Sequence, residues 1–461
     1  MSEFDAEFLA EASGGEWLKR LPASPVTGFC FDTRKLKPGD LFIAIKTETR
    51  DGHDFLENAR EKGATGALVQ EERPSSSLPQ LLVDDSVVGF QTIAARFRNR
   101  WSFPVIAVTG SCGKTTVKDL LSLLLGGEPI VQATSGNLNN LIGVPATMLS
   151  IEDTSCRFAV VEAGISERGE MAKLAETIQA DTVVFTAIGP AHLECLENVD
   201  TIASEKAKLS EISSTKRVYL GPTWKPYRSR VFGGEGLLLE EDDSLGSLRS
   251  YRRILENGGT RLEMKGPDGV ESYRIESMGK GSASNAALAI SVVRDCGVSA
   301  EDIALRLKFW KPSELRGEWR TFGNTRAYLD CYNANPLSMS DALDVFQSAY
   351  EPGRSRLFVI GSMEELGEQS ANWHERLGCE IAVEKEDYVR LLGDGSEYVL
   401  EGMKNTGKHL ENTEIVRNVE ALQPLLAAFS GDVFLKGSRR YRLETAIDLL
   451  KNEPCSEGVS C

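Results

Sequence analysis

The chain has 461 residues, 41% hydrophobic and 26% charged, with a formal net charge of −16. That length calls for two to four soluble domains, and the acidity argues against duplex nucleic acid or an anionic membrane as the main partner. No run of about 18 apolar residues marks a membrane span; the acidic start MSEFDAEFLAEASGGEW lacks a secretory leader, and nine cysteines without a CxxC pair predict reduced thiols and a cytoplasmic location, with no disulfide frame or zinc site.

Residues 1–100 predict a small α/β domain. Strands are expected at 41–45 and 66–69, a helix at 54–62 between them, and a connecting helix over 87–101. Pro38-Gly39-Asp40 marks a turn. The loops Asp32-Thr33-Arg34 and Arg50-Asp51-Gly52-His53-Asp54 are either solvated turns or ligand contacts, and pattern alone leaves both open.

Residues 101–312 alternate strands and helices, the pattern of a parallel sheet covered on both faces. A β-branched run at 105–108 is followed by Gly110-Ser111-Cys112-Gly113-Lys114-Thr115-Thr116. Val117, Leu120, Leu121 and Leu124 then fall at i, i+3, i+4 and i+7, a helix stopped by Gly126-Gly127. Strand, glycine turn and helix aim backbone N–H groups and a positive dipole end at a phosphate. Lys114 would reach the terminal phosphates and Thr115 would hold Mg2+, although two residues separate the glycines where the usual loop has four. A second strand, 158–161, ends on Glu162, and a third, 181–188, runs into Gly189-Pro190-Ala191-His192. Ligands in open α/β sheets gather at these carboxyl ends, which makes Glu162 a candidate Mg2+ ligand or a plain helix cap. A helix over 200–212 puts Ile202, Lys206 and Leu209 on one stripe. Lys206 is then either a lysine snorkelling to the surface, the plainer reading of periodicity, or a neutral amine able to add carbon dioxide as a metal-binding carbamate. Residues 217–278 predict an antiparallel insert, with a hairpin at Gly266-Pro267-Asp268-Gly269 and a helix from Ser284-Asn285 to 293 rejoining the sheet.

Residues 313–461 predict a Rossmann-like domain, with strands at 326–331, 357–360, 388–392 and 433–435 and helices near 337–349, 371–384 and 441–451. The first of these strands ends on Asp330-Cys331-Tyr332-Asn333-Ala334-Asn335-Pro336 and the last on Lys436-Gly437-Ser438-Arg439.

In this order the pieces resemble the Mur ligase family over nearly the whole chain. The phosphate loop has that family's short TGxxGKT form at 109–115, and GNLNNLIGVP, VVEAGISERGEM, IGPAHLE, YNANPLSM, GSMEELGE, KGSR, DTRKLKPGDLFIAI and DGHDF follow its motifs. The resemblance implies α/β architecture in three domains: a small N-terminal domain, a central ATPase-like parallel sheet with an antiparallel insert, and a C-terminal Rossmann-like domain. It implies an ATP-dependent amide ligase of peptidoglycan precursor synthesis, using Mg2+, expected to be monomeric. The motifs look specifically like the member whose substrates are UDP-N-acetylmuramoyl-tripeptide and D-alanyl-D-alanine.

By the same resemblance, Lys114 and Thr115 hold the ATP phosphates and one Mg2+, with Glu162 as a further ligand. His192 and Lys206, the latter as its carbamate, serve a second metal. Asn285 looks like the adenine contact, and Arg316, Asp330, Tyr332 and Asn333 the C-terminal contribution to base and ribose. Thr33 and Arg34 match the uridine segment, Asn137, Asn139 and Asn140 the stretch near the muramoyl peptide, and Lys436, Ser438 and Arg439 the D-alanyl-D-alanine site. Three positions depart from the family pattern: Thr33 stands where Ser is frequent, Ser362 where Asp is frequent, and the order RGEWR is unusual around Arg316. Rival readings are another Mur-fold amide ligase, such as a different stem-peptide ligase or a folylpolyglutamate synthetase, and a nucleotide-binding protein without catalysis. DTR and DGHDF speak against the folate enzyme; retention of Lys114, Thr115, Glu162, His192 and Lys206 speaks against lost catalysis.

Overall fold

The structure, a computed structural model, describes residues 3–152, 155–211, 214–231, 235–247, 249–256, 258–266 and 269–451. Three α/β bodies follow one another. The N-terminal sheet runs Glu16–Leu18, Gln80–Leu82, Gly66–Val69, Asp40–Ile43, Gly28–Cys30, parallel except for its first pair. Its two central strands, Gly66–Val69 and Asp40–Ile43, are buried at every residue because helices cover both faces, Ser86–Arg98 on one and Leu56–Glu61 on the other.

The central sheet has six parallel strands in the order Glu235–Leu238, Arg217–Leu220, Thr182–Phe185, Val105–Thr109, Phe158–Glu162, Val131–Ala133. This corrects the expected start of the insert. Arg217–Leu220 and Glu235–Leu238 continue the central sheet, pairing in parallel, and the antiparallel strands are Ser250–Glu256, Gly259–Gly266 and Gly269–Ile275. Four-residue strands carry too little periodicity to declare their sheet. Gly266 pairs with Gly269 as the hairpin requires, while Pro267 and Asp268 at its tip lie outside the described residues. The predicted 200–212 helix ends sooner, as Val199–Ala207 and a tight turn Lys208–Ser210; Ile212 lies outside the described residues.

The C-terminal sheet runs Glu318–Phe322, Thr325–Leu329, Asp432–Lys436, Arg356–Gly361, Tyr388–Leu392, Thr413–Val416. Its first strand is not the predicted one. Glu318–Phe322 precedes it and folds back antiparallel through Gly323, at φ +53°. The predicted 441–451 helix is two short turns followed by Ala446–Lys451. Cysteines 30, 112, 195, 296, 331 and 379 are free thiols, and Cys455 and Cys461 lie outside the described residues.

Candidate active site

The phosphate loop lies at the carboxyl end of the wholly buried strand Val105–Thr109 and opens the helix Lys114–Leu125, whose Val117, Leu120, Leu121 and Leu124 are buried. Gly113 holds φ +83°, and a Cβ there would meet the Asn285 amide at 2.5 Å, so backbone conformation and space both demand glycine. The loop is strapped to the segment after the next strand. Ser111 N donates to the Ala187 carbonyl at 2.7 Å, Ser111 Oγ to the Gly189 carbonyl at 2.7 Å, and Thr186 Oγ1 to the Cys112 carbonyl at 2.6 Å. Burial pushes the Cys112 thiol up to about 11, so it is a neutral filler. Thr116 is half-buried in the first helical turn.

Lys114 Nζ donates to the Gly110 carbonyl at 2.9 Å, inside the curl of the loop. Burial lowers its pKa, and Glu162 opposes that shift. Thr115 Oγ1 donates to Glu162 Oε2 at 2.9 Å, and Asn139 Nδ2 to Oε1 at 2.8 Å. Both oxygens of this buried carboxylate are thereby oriented. Asn140 Oδ1 accepts from Gly143 N at 2.8 Å and serves its own turn; Asn137 is exposed.

His192 sits in left-handed backbone, φ +52°, with Nδ1 against the Glu365 carboxylate across the seam with the C-terminal body. Lys206 is 1% exposed, which removes the snorkelling alternative. Its ammonium has no hydrogen bond or ion pair among the described residues. Burial first, and then the Lys114 charge, hold its pKa well below the ordinary lysine value.

From the C-terminal body, the Arg316 guanidinium lies 4.0 Å over the Tyr332 ring and that of Arg439 5.7 Å away. Lys436, expected near the amino substrate, is buried and donates to Asp330 Oδ2 at 2.6 Å and the Asn333 carbonyl at 3.3 Å. Asp330 is pushed up by burial, with Lys436 acting against it. Ser438 is buried, its N–H on the Ser362 carbonyl at 3.2 Å, and Arg439 pairs with Glu444 at 3.1 Å. Ser362 is structural here: its hydroxyl donates to the Leu392 carbonyl at 3.0 Å and accepts from Gly395 N at 2.9 Å.

Thr33 and Arg34 follow the strand Gly28–Cys30 in an exposed turn. Arg34 pairs with Asp32 at 2.8 Å, and Lys62 Nζ donates to the Thr33 carbonyl at 2.8 Å. Nearby, His53 is buried as a staple: Nδ1 meets Asp51 Oδ1 at 2.6 Å, and Nε2 accepts from Gln70 N at 3.1 Å and Glu71 N at 3.3 Å. Sequence reasoning missed Glu365 and Asn335, whose Nδ2 reaches the Ser111 carbonyl at 3.4 Å. No local pattern could have found contacts between residues more than 170 apart in the chain.

The donor set suits Mg2+. A hydroxyl, a buried carboxylate and an amine that a carbamate would convert to oxygen donors are hard ligands, and the buried, unpartnered Lys206 amine is the observation that fits.

A phosphate loop at the mouth of a parallel sheet, covered by a second α/β body that brings an arginine and a lysine–aspartate pair, defines an ATP-dependent ligase. Three family models match in chain order: Mur ligase family, catalytic domain over 25–91; Mur ligase middle domain over 108–293; and Mur ligase, glutamate ligase domain over 315–439. The UDP-N-acetylmuramoyl-tripeptide–D-alanyl-D-alanine ligase of Bacillus subtilis is 32% identical over 447 residues, 94% of each chain. A crystal structure of MurF from Acinetobacter baumannii superposes with a TM-score of 0.88 at 26% identity, covering 98% of this chain and 100% of that one. MurF ligase from Thermotoga maritima in complex with ADP gives 0.79 at 26% identity, with 92% and 97% covered. The chain belongs to the Mur ligase family.

Proposed function

We propose that this chain joins D-alanyl-D-alanine to UDP-N-acetylmuramoyl-tripeptide at the expense of ATP, in peptidoglycan precursor synthesis. The observation that carries the chemistry is the Lys114–Thr115–Glu162 group at the mouth of the central sheet. The tripeptide carboxylate attacks the γ-phosphorus of ATP, giving an acyl phosphate and ADP. The dipeptide amine then attacks the acyl carbon, phosphate leaves, and the amine gives up a proton. Two anions meet in the first step, so Lys114 and the loop N–H groups lower its barrier by stabilising charge on the transferring phosphoryl group. Thr115, Glu162, His192 and the Lys206 carbamate would hold Mg2+, which when bound offsets the remaining negative charge.

In this reading residues 1–100 bind the UDP end through Thr33 and Arg34, and Asn137, Asn139 and Asn140 border the muramoyl peptide. Residues 101–312 bind ATP, with Asn285 toward adenine and Gly110, Ser111, Cys112, Gly113 and Thr116 around the phosphates. Residues 313–461 bring Arg316, Asp330, Tyr332 and Asn333 to the nucleotide, and Ser438 and Arg439 to the dipeptide. Lys436 acts through Asp330, the group it bonds. Free thiols and a nucleotide-linked substrate support a cytoplasmic location, and no helix among the described residues is long and apolar enough to cross a membrane.

The test is ADP release by purified protein with UDP-N-acetylmuramoyl-tripeptide, with and without D-alanyl-D-alanine. Release that rises with the dipeptide, together with a lengthened peptide product, is expected. Release indifferent to every stem-peptide substrate would overturn the reading.

A further inference from the structure

The helix Lys280–Asp295 begins at Gly279 with no side chain of its own body capping it. A first turn normally recruits a nearby Ser, Thr, Asp or Asn to accept its free N–H groups. Here the acceptor comes from the other body: Gly281 N donates to Asp341 Oδ1 at 2.9 Å, and Asp341 lies on the C-terminal helix Pro336–Ser348. The approach depends on two glycines. A Cβ at Gly279 or Gly281 would lie 2.9 or 2.8 Å from Asp341 Oδ2. Lys280 adds a weaker pairing with Asp344 at 3.6 Å.

Both helices touch the phosphate loop directly. The capped helix carries Asn285, whose amide fills the space behind Gly113. The capping helix starts at Asn335, which closes its own first turn with Ser338 and reaches the Ser111 carbonyl at 3.4 Å. The C-terminal helix therefore meets the loop twice, once through Asn335 and once through Asp341, the first turn of Lys280–Asp295 and Asn285.

We propose that Asp341 is a positioning residue for nucleotide binding, a helix cap supplied across the domain seam that sets Asn285 behind Gly113 only when the C-terminal body is docked. Asp341 itself need touch no substrate. A carboxylate at the positive end of a 16-residue helix gains from both the hydrogen bond and the helix dipole. Undocking removes that acceptor and frees the turn that holds Asn285. The nucleotide site is thereby completed by closure of the C-terminal body rather than preformed.

This inference rests on the reading that the loop binds ATP, so its test uses ADP alone with the full chain. ADP affinity is measured by calorimetry for the unaltered chain, Asp341→Ala, Asp341→Asn and Gly281→Ala, each with its unfolding midpoint. Asp341→Ala is expected to weaken ADP binding about tenfold, from the usual worth of a cap. Asp341→Asn, which keeps an acceptor oxygen, should stay within about threefold. Gly281→Ala, which pushes the carboxylate away, should behave like Asp341→Ala. In ligation assays the KM for ATP should rise in the same order while that for the UDP-linked substrate holds. Unaltered ADP affinity in folded Asp341→Ala overturns this inference alone, as does equal loss in Asp341→Ala and Asp341→Asn. An unaltered chain that fails to bind ADP overturns both this inference and the reading beneath it.

Discussion

His192 and Glu365 face each other across the seam between the central and C-terminal bodies, and each holds left-handed backbone, at φ +52° and +62°. Neither residue is glycine, so the geometry is held from outside. The Glu365 carbonyl accepts from Glu194 N at 3.1 Å, and Gly367, at φ +54°, lies against the Glu194 backbone, where a Cβ would stand 3.3 Å from Glu194 Cα. The Glu365 side chain is half-exposed, so Glu365→Ala should cost less than about 1 kcal/mol of stability. Gly367→Val is the severe change, because a β-branched residue in left-handed backbone costs about 1–2 kcal/mol and its Cβ meets Glu194. X-ray scattering should give a larger radius of gyration for Gly367→Val, with ligation slowed. An unchanged scattering profile and rate would mean that this contact does not govern docking.

Lys114→Ala should slow ADP release about a hundred- to a thousandfold, the usual loss for one charge stabiliser aimed at a reacting group. The unfolding midpoint should stay within a few degrees, since Lys114 makes only a bond to the Gly110 carbonyl. Lys114→Arg should not rescue the rate: a planar guanidinium fork does not reproduce the compact point charge of the ammonium that bonds the Gly110 carbonyl. Rate and midpoint together separate a chemical role from a structural one.

The phosphate loop was legible because everything it needs is local. A buried strand, two glycines and an amphipathic helix lie within 21 residues, and Gly113 shows the reason in its φ of +83°. Glu162 was legible from its place at a strand end. Lys206 was half legible: spacing put it on the buried stripe but could not say whether its amine escapes, which depends on surrounding elements. Lys436 shows the limit. Its motif marked it for the amino substrate but could not show its bond to Asp330, which follows the neighbouring parallel strand Thr325–Leu329, 106 residues away. Short strands such as Arg217–Leu220 were lost for a different reason, being too short for alternation to separate them from loop.

His374 gives a pH prediction. It is buried, with Nδ1 donating to the Ser370 carbonyl at 2.8 Å and Nε2 accepting from Met363 N at 2.9 Å, an arrangement only the neutral ring can make. Burial lowers its pKa below the ordinary 6.5. Below 6.5 the unfolded chain takes up a proton that the folded chain refuses. The stability His374 contributes is therefore complete above 6.5 and is lost as pH falls toward the folded value, by at most about 1.4 kcal/mol per pH unit. Chemical denaturation between pH 7 and 5 should show this slope, and His374→Gln should flatten it. His374→Ala should in addition loosen the loop that carries Glu365, because Met363 N then loses its acceptor.

Lys206 supports the sharpest test of the metal reading, because two roles predict opposite results for one substitution. A lysine serving as a cation would be replaced tolerably by arginine, which keeps the charge. A lysine serving as a carbamate cannot be, since guanidinium does not add carbon dioxide. The amine is buried, lacks a partner among the described residues and is held well below its ordinary pKa, which favours the neutral, nucleophilic form that carbamate formation needs. Lys206→Arg and Lys206→Met should both lose ligation by about a hundredfold or more. Lys206→Met should also unfold no earlier than the parent at neutral pH, since it replaces a buried amine with an apolar chain of similar length. Supplying 13C-labelled bicarbonate should give a carbamate carbon resonance in the parent that is missing from Lys206→Met. An active Lys206→Arg enzyme, or a resonance that survives in Lys206→Met, would reassign the residue to a plain electrostatic role beside Lys114.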